Sequence, residues 1–478
     1  MNENQREAVR DNAKYLRGVR PVDPEEIYEY VEGTPHPAAV KQVLREQAPS
    51  LGLVERDDGM FEPVDDEPVS VPFHGVDSLP DTLTRAVENC LVERFGAGWP
   101  DGDSGATLRS KIRDFKRRYL SGAPVTYDEE TALGYAIYHL PAYFAAVQYV
   151  LSDLAEDGRV STHLRVLDIG AGVGGPALGL DEFMPSESLV DYHAVEPSEA
   201  VTVLRPLLET TGENFHTAVH EQQVESFDAD ERFDLILFGN VLSELAEPSE
   251  TVQTALEWLA SDGTVALLAP ADRNTAIQLR KVERRVEDET DTTVYAPTVR
   301  LWPGESPEGE SWSFRSHPEI SVPSFQRQLD EGERTPDERS PDRDRPGSGE
   351  FVNADVQYAY SLLRRDGESA VAVRPDRSQV AKLGETERHV TDRIDCLVLK
   401  LSHDLAEGGH PLFLVGDGSQ KIDHFAVLTK ETALNADLQT AAYGEPLFIE
   451  NVLVLWNDDE QAYNLVVDEE TIIDRIPE

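Results

Sequence analysis

The chain has 478 residues, with 91 acidic against 43 basic side chains and a formal net charge of −48. Its length allows two to four domains. Hydrophobic residues at 40%, grouped into strand and helix patterns, exclude an acidic disordered chain. Two cysteines, Cys90 and Cys396, exclude a disulfide framework and zinc-finger spacings within one chain.

No apolar run approaches the ~20 residues of a membrane span. Met1 to Glu7 lacks the apolar core of a signal peptide. The expected location is cytoplasmic. Lysine is scarce, nine against thirty-four arginines, and the acid is spread through the sequence. Such self-repulsion opposes compaction, but at about 1 M salt the Debye length falls to about 3 Å. The expectation is a halophilic protein, and the acidity therefore says little about partners.

Residues 1–66 read as a small separate unit. A helix is expected from Pro24 to Val31, with Ile27, Tyr30 and Val31 on one face, and a second from Pro37 to Ala48. Leu53 to Arg56 and Met60 to Val64 flank Asp57-Asp58-Gly59, a hairpin signal. Helices followed by a hairpin suggest a winged-helix-like unit, a form that binds nucleic acid or protein or serves only in packing. Residues 65–75 read as a linker.

Residues 79–158 read as a helical subdomain. Arg109, Lys111, Arg113, Lys116, Arg117 and Arg118 lie within ten residues, and Arg113, Lys116 and Arg117 share one helix face. One reading is phosphate contact with RNA. The other is a solvated face paired with surrounding acid.

Residues 159–329 read as an α/β core of alternating strands and helices, a Rossmann-like doubly wound sheet. Val166 to Gly175 is a buried strand ending at Asp168, then a glycine turn, then a helix start. Glycine reaches φ > 0 and lets backbone approach a ligand, and the helix start offers free N–H groups. Gly170, Gly172 and Gly175 satisfy the dinucleotide spacing G-x-G-x-x-G. Asp168, two residues before the first glycine, points instead to S-adenosylmethionine, whose ammonium a carboxylate can accept. Tyr192 to Val195 ends at Glu196, at the spacing of an acid that grips ribose hydroxyls. Phe233 to Phe238 is a third strand, running into Gly239 and Asn240. The expected cofactor site is Asp168, Gly170, Ala171, Gly172, Gly174, Glu196 and Asn240; Asn240 could instead cap a helix beginning near Val241. Together these features resemble the class I S-adenosylmethionine-dependent methyltransferases.

Val265 to Ala269 is the expected fifth strand, ahead of a helix from Thr275 to Glu289. Residues 330–350 read as a disordered insert. Residues 351–478 read as a β-rich domain, with strands at 358–363, 370–374, 396–400, 412–415 and 452–456. This suggests a small barrel or an extension of the main sheet. Gly416 to Lys421 lacks Walker A spacing and reads as a plain turn.

A narrower resemblance rests on Tyr135 to Val147, with Leu140-Pro141-Ala142-Tyr143-Phe144-Ala145-Ala146-Val147 at its centre. The basic helix through Phe115 to Leu120 precedes it. Val195 to Ser198, Asn240 to Leu245 and Phe351 to Leu363 follow in order. The set is similar to the mitochondrial small-ribosomal-subunit methyltransferase-like assembly factors and their prokaryotic homologues, over about 80 to 455. The resemblance implies a partner in the small ribosomal subunit or its rRNA. That family carries a cysteine cluster after the fifth strand; Ala296 to Gly304 and Ser311 to Arg315 contain none. An iron–sulfur cluster needs about four thiolates, so none is expected. His193 and His317 read as lone structural histidines, so no metal is expected.

The slot after the third strand reads Gly239-Asn240-Val241-Leu242, without the Asn/Asp-Pro-Pro-Tyr turn of base-methylating enzymes. Neither cysteine adjoins a motif, so no catalytic residue is assigned. Tyr138 and Tyr143 either shape the cofactor's methionine end or pack between helices. Three activities stay open: rRNA methylation, a catalytically silent assembly factor that keeps the pocket, and small-molecule methylation.

Overall fold

The computed structural model describes residues 1–302, 305, 312–338 and 346–476. The chain divides into two units: residues 1–239, 258–260 and 318–356 form one, and 240–257, 261–317 and 357–478 the other.

The first unit opens with α1 (Glu3–Leu16), α2 (Pro24–Ile27) and α3 (Pro37–Leu51), followed by the hairpin β1 (Leu53–Glu55) and β2 (Phe61–Pro63). Asp23 caps α2 by accepting from the Glu25 N–H, and the expected helix tightens into a 3-10 turn at Tyr28–Tyr30. Gly59, at φ 81, makes the hairpin turn. Val22 bridges Phe61 antiparallel. Val9, Val22, Ile27, Val40, Leu44 and Phe61 belong to a core of this segment's own.

Four helices follow: α4 (Asp81–Phe95), α5 (Gly102–Ser121), α6 (Glu129–Tyr138) and α7 (Leu140–Glu156). Strands and helices then alternate: β3 (His163–Ile169), α8 (Gly175–Phe183), β4 (Leu189–Val195), α9 (Val201–Leu208), β5 (Phe215–His220) and β6 (Phe233–Gly239). The strands run parallel in the order β5-β4-β3-β6. The direction of winding therefore reverses at β3. Ligands of open α/β sheets bind outside the strand ends at such a switch point.

Helices α7 and α8 pack closely because two glycines allow it. A Cβ on Gly179 would stand 2.3 Å from Phe144 O, and one on Gly175 would stand 2.9 Å from Tyr143 Cβ.

The stretch expected to be disordered at 330–350 is ordered at both described ends; 339–345 lies outside the described residues. A helix at Ser324–Glu331 and a 3-10 turn at Pro336–Glu338 precede the gap. Asp330 carboxylate oxygens accept from the Gly349 and Phe351 N–H groups at 2.8 and 3.2 Å. Mixed charge there encodes specific pairing rather than solvation.

In the second unit, α10 (Pro248–Trp258), β7 (Leu259–Pro270), α11 (Arg273–Glu289), β8 (Thr293–Ala296) and β9 (Arg315–His317) precede β10 (Val356–Arg364). β10 lies between β7 and β8, antiparallel to both. Residues 370–374 form no strand: Ala370 donates to Tyr295 O at 2.9 Å, and the run then leads irregularly into Pro375.

The remainder is a closed barrel of β11 (Arg393–Lys400), β12 (Leu412–Gly416), β13 (His424–Leu428), β14 (Pro446–Asn457), β15 (Ala462–Val467) and β16 (Ile472–Arg475). Its order is β11-β12-β13-β15-β14, with β14 pairing back onto β11 and β16 added at β14. Only β13 and β15 pair in parallel. The ring of five strands, with β16 as a sixth at its edge, has the Greek-key order of an OB barrel. The Gly416–Lys421 turn does more than reverse the chain. Asp417 accepts from Trp302 Nε1 at 2.6 Å and the Leu383 N–H at 2.9 Å, pinning the 299–302 segment.

Candidate functional site

The site forms at the end of β3 because the sequence brings a buried strand to an acid and then places glycines where the turn needs a left-handed backbone. Gly170, Gly172 and Gly174 sit at φ 72, 56 and 87, a region that only glycine occupies freely. Gly170 N–H donates to Val195 O at 2.9 Å, tying the turn to the end of β4. Glu196, at that end, accepts from Gly172 N–H through Oε2 and from Ser198 N–H through Oε1, both at 2.9 Å. The expected ribose acid thus also sets the shape of the glycine turn.

Asp168 is 0% exposed. Its Oδ2 accepts from Tyr192 Oη at 2.5 Å, and its Oδ1 has no hydrogen-bond partner among the described residues. Burial raises its pKa to about 7; the Tyr192 bond opposes the rise and the nearby Glu196 charge adds to it. A buried carboxylate oxygen without a donor costs free energy. The arrangement fits an arriving N–H donor, such as the ammonium of an amino acid.

Tyr192 was not among the expected site residues. Its position on β4, two residues before Ala194, which pairs with Asp168, places it diagonally opposite on the same face. The sequence signal is a phenol on the buried face of a strand beside a buried acid.

Beside the turn stands a cluster of half-buried rings on α6, on α7 and at His139 between them. His139 stacks on Tyr143 at 5.4 Å between centroids, Tyr135 lies 4.6 Å from His139, and Tyr135 and Tyr143 hydroxyls are 3.3 Å apart. Burial and the Lys116 charge push the His139 pKa down to about 3, so its ring is neutral. Tyr143 abuts Gly175; Tyr138 instead faces Lys116, accepting from Nζ at 2.9 Å.

Asn240 belongs to the second unit. It holds φ 66, is 8% exposed and donates its N–H to Leu268 O at 3.0 Å. It caps no helix: the next element is a 3-10 turn at Leu242–Glu244, whose N-cap is Val241.

The basic helix does not present the shared free face expected of Arg113, Lys116 and Arg117. Arg113 makes a bidentate pair with Glu350, both bonds 2.6 Å, and Lys116 donates to Glu350 O at 3.3 Å. Arg117 is exposed and pairs with Asp114. Arg109 is 0% exposed and forks onto Glu338 at 2.8 and 2.9 Å. Arg109 and Arg113 thus pair with acid that lies far along the chain, and Arg117 and Arg118 with Asp114 on their own helix.

His193 is not alone. Its Nε2 stands 3.5 Å from Asp191 and 3.7 Å from Glu231, and its Nδ1 is 3.2 Å from His220 Nε2. His317 stacks on Tyr358, and burial pushes its pKa down to about 3. Cys90 lies half-buried on α4 and Cys396 buried on β11.

Residues 136–322 match the methyltransferase domain family. Residues 6–57 and 384–476 match the N-terminal and C-terminal domains of a domain of unknown function, DUF8157. No curated protein matches the chain. Among solved structures, a sugar N-methyltransferase from Streptoalloteichus is 22% identical over 26% of this chain and 47% of its own, with a TM-score of 0.21. The glycopeptide N-methyltransferase MtfA with S-adenosyl-L-methionine is 19% identical over 28% and 57%, at 0.23. An amino pentose methyltransferase from Micromonospora echinaspora, bound to S-adenosylmethionine, is 19% identical over 26% and 50%, at 0.22. The chain spans about half the length of these structures. The family match bears out the expectation that this part of the chain is a methyltransferase domain of the S-adenosylmethionine-dependent class, with the class I fold.

Proposed function

We propose that the chain is an S-adenosylmethionine-dependent methyltransferase. The observation that carries this reading is Asp168: a fully buried carboxylate with one oxygen held by Tyr192 and the other without a donor, at the switch point of a parallel sheet. Asp168 would hold the cofactor's ammonium, and Glu196 keeps spare lone pairs for ribose hydroxyls. When bound, S-adenosylmethionine supplies a methyl group on a sulfonium for displacement by an acceptor. The protein's own part is orientation and exclusion of water. Tyr135, His139 and Tyr143 form a neutral wall beside the turn that suits this task, and no side chain there is assigned a proton.

By resemblance, the target is the small ribosomal subunit or its rRNA. The segment 1–66 would then serve as a winged-helix-like recognition unit, a reading supported by its three helices, its hairpin and the Val22–Phe61 bridge. A second reading, a small-molecule acceptor, is favoured by the ion pairs that occupy Arg109, Arg113 and Arg117. A third keeps the cofactor without turnover.

The deciding experiment is calorimetric titration of S-adenosylmethionine into the protein at multimolar salt, with Asp168→Ala as control. Binding that the variant loses supports the pocket; no binding to the wild type overturns the proposal. Transfer of a labelled methyl group to purified 30S subunits or to a metabolite pool then separates the acceptor classes. Binding without transfer to either, alongside cofractionation with 30S subunits, would select the silent factor.

A further inference from the structure

Nine lysines serve this chain, and Lys400, at the end of β11, is buried in the barrel at 4% exposure. Its ammonium donates to Ala441 O at 2.8 Å and Gln439 O at 3.0 Å, and lies 4.5 Å from the centre of the Phe413 ring. Among the described residues its bonds go to these carbonyls and to no carboxylate. An ammonium has three donors; two are used here, and the third has no acceptor among the described residues.

Buried charges are normally paired. In a chain with 91 carboxylates, this buried ammonium feels the charges of Glu445 and Asp404 but bonds to neither, which leaves a place for a partner from outside.

Lys400 lines a cavity of about 350 Å³, a size suited to a small ligand. Phe314, Phe413 and Tyr443 provide ring surface, and Ser402, His403 and Asp404 provide polar groups. Ser402 is 5% exposed and its Oγ accepts from Leu414 N–H at 2.8 Å, which leaves its own hydrogen as a second donor. Asp404, at the exposed rim, is held by Ala406 and Leu412 N–H groups at 3.0 and 2.9 Å. Its charge disfavours a phosphate dianion and suits a neighbouring ammonium.

We propose that this cavity binds the α-amino carboxylate end of a small molecule. The carboxylate accepts from Lys400 and Ser402, and the ammonium faces Asp404. The site lies within the second unit and is independent of the cofactor reading.

The test uses the full chain at multimolar salt, with L-alanine, acetate, ethylamine and inorganic phosphate as titrants. Alanine should bind most tightly, acetate more weakly, and ethylamine and phosphate not measurably. Lys400→Met, which keeps the apolar stem, should weaken alanine binding at least tenfold while leaving the circular dichroism spectrum unchanged. Asp404→Asn should erase the preference for alanine over acetate. Alanine should also slow modification of Lys400 by trinitrobenzenesulfonate, read by mass spectrometry.

S-adenosylmethionine carries such an end itself, so every titration is repeated in Asp168→Ala. Alanine binding that persists there but is lost in Lys400→Met assigns it to the barrel. Absence of alanine binding, equal binding by Lys400→Met, or a preference for phosphate would each overturn the proposal.

Discussion

Asp168 holds two demands in opposition. Folding strips it of water, which favours the protonated form; a cationic ligand needs the ionised one. An ordinary aspartate titrates near ~3.9, and here burial raises the value to about 7. A raised carboxyl value means the folded state holds the proton more tightly. The associated stability is complete below about pH 4 and is lost as the pH climbs to about 7. The melting temperature of the ligand-free protein should therefore fall across that window relative to Asp168→Asn, and the two should run parallel above it. Affinity for S-adenosylmethionine should show the opposite slope, strengthening up to about pH 7 because binding must expel the proton below it. Asp168→Asn should flatten that profile and weaken binding roughly tenfold or more, since a hydrogen bond to a charged group contributes about 1.5–3 kcal/mol. Calorimetry in buffers of different ionisation enthalpy measures the proton directly; a pH-independent affinity in the wild type would remove Asp168 from the ammonium's contacts.

At the scale of elements, α7 and α8 are held together by what is missing between them. Gly179 leaves no room for a methyl group, because the nearest atom is the backbone oxygen of Phe144 rather than a movable side chain. Gly179→Ala should cost about 1–3 kcal/mol by overpacking, seen as a lower urea midpoint with an unchanged slope. On the other side of the helical subdomain, Arg109 and Glu338 form a buried fork. Glu338→Gln should cost about 3–5 kcal/mol, because the guanidinium stays buried without its counter-charge. Burial alone would raise the Glu338 pKa, but the bonds from Arg109 and Thr335 outweigh it and hold the value at about 2. This contribution is present above about pH 4.3 and is lost as the pH falls towards 2, the reverse of Asp168. Acid titrations of wild type and Glu338→Gln should converge in that range; parallel curves would assign the pair no role. These elements also show what could be read in advance. Asp168, Glu196 and the glycine turn were legible because each is announced within a few residues by a strand pattern that stops. The fate of Arg109 and Arg113 was not, because helical periodicity reports which side chains share a face and not what covers it; their carboxylates arrive 229 and 237 residues later. The barrel showed only three of its six strands, β11, β12 and β14, for a related reason. β13 and β15 alternate buried and half-buried positions over five and six residues, too short to stand out between turns.

For the whole molecule, the charge imbalance predicts a stability that depends on salt. Acidic residues exceed basic ones 91 to 43, so even complete pairing of every cation leaves most of the excess facing solvent. Exposed pairs such as Arg205–Glu221 and Arg388–Glu385 contribute little, and salt weakens them further. Buried pairs such as Arg109–Glu338 and Arg280–Glu283 are sheltered from it. Salt therefore removes much repulsion and little attraction. The melting temperature should rise steeply between roughly 0.1 M and 2 M potassium chloride, as the Debye length shrinks from about 10 Å towards 3 Å or less. Lowering the pH from about 7 to about 5 at low salt should recover part of the same rise, because it begins to neutralise the acid coat without adding ions. Sucrose, which is excluded from protein surfaces but screens nothing, separates charge from general exclusion. If sucrose reproduced the full effect and mild acid none of it, self-repulsion would not be what limits the fold, and the scarcity of lysine would need another cause.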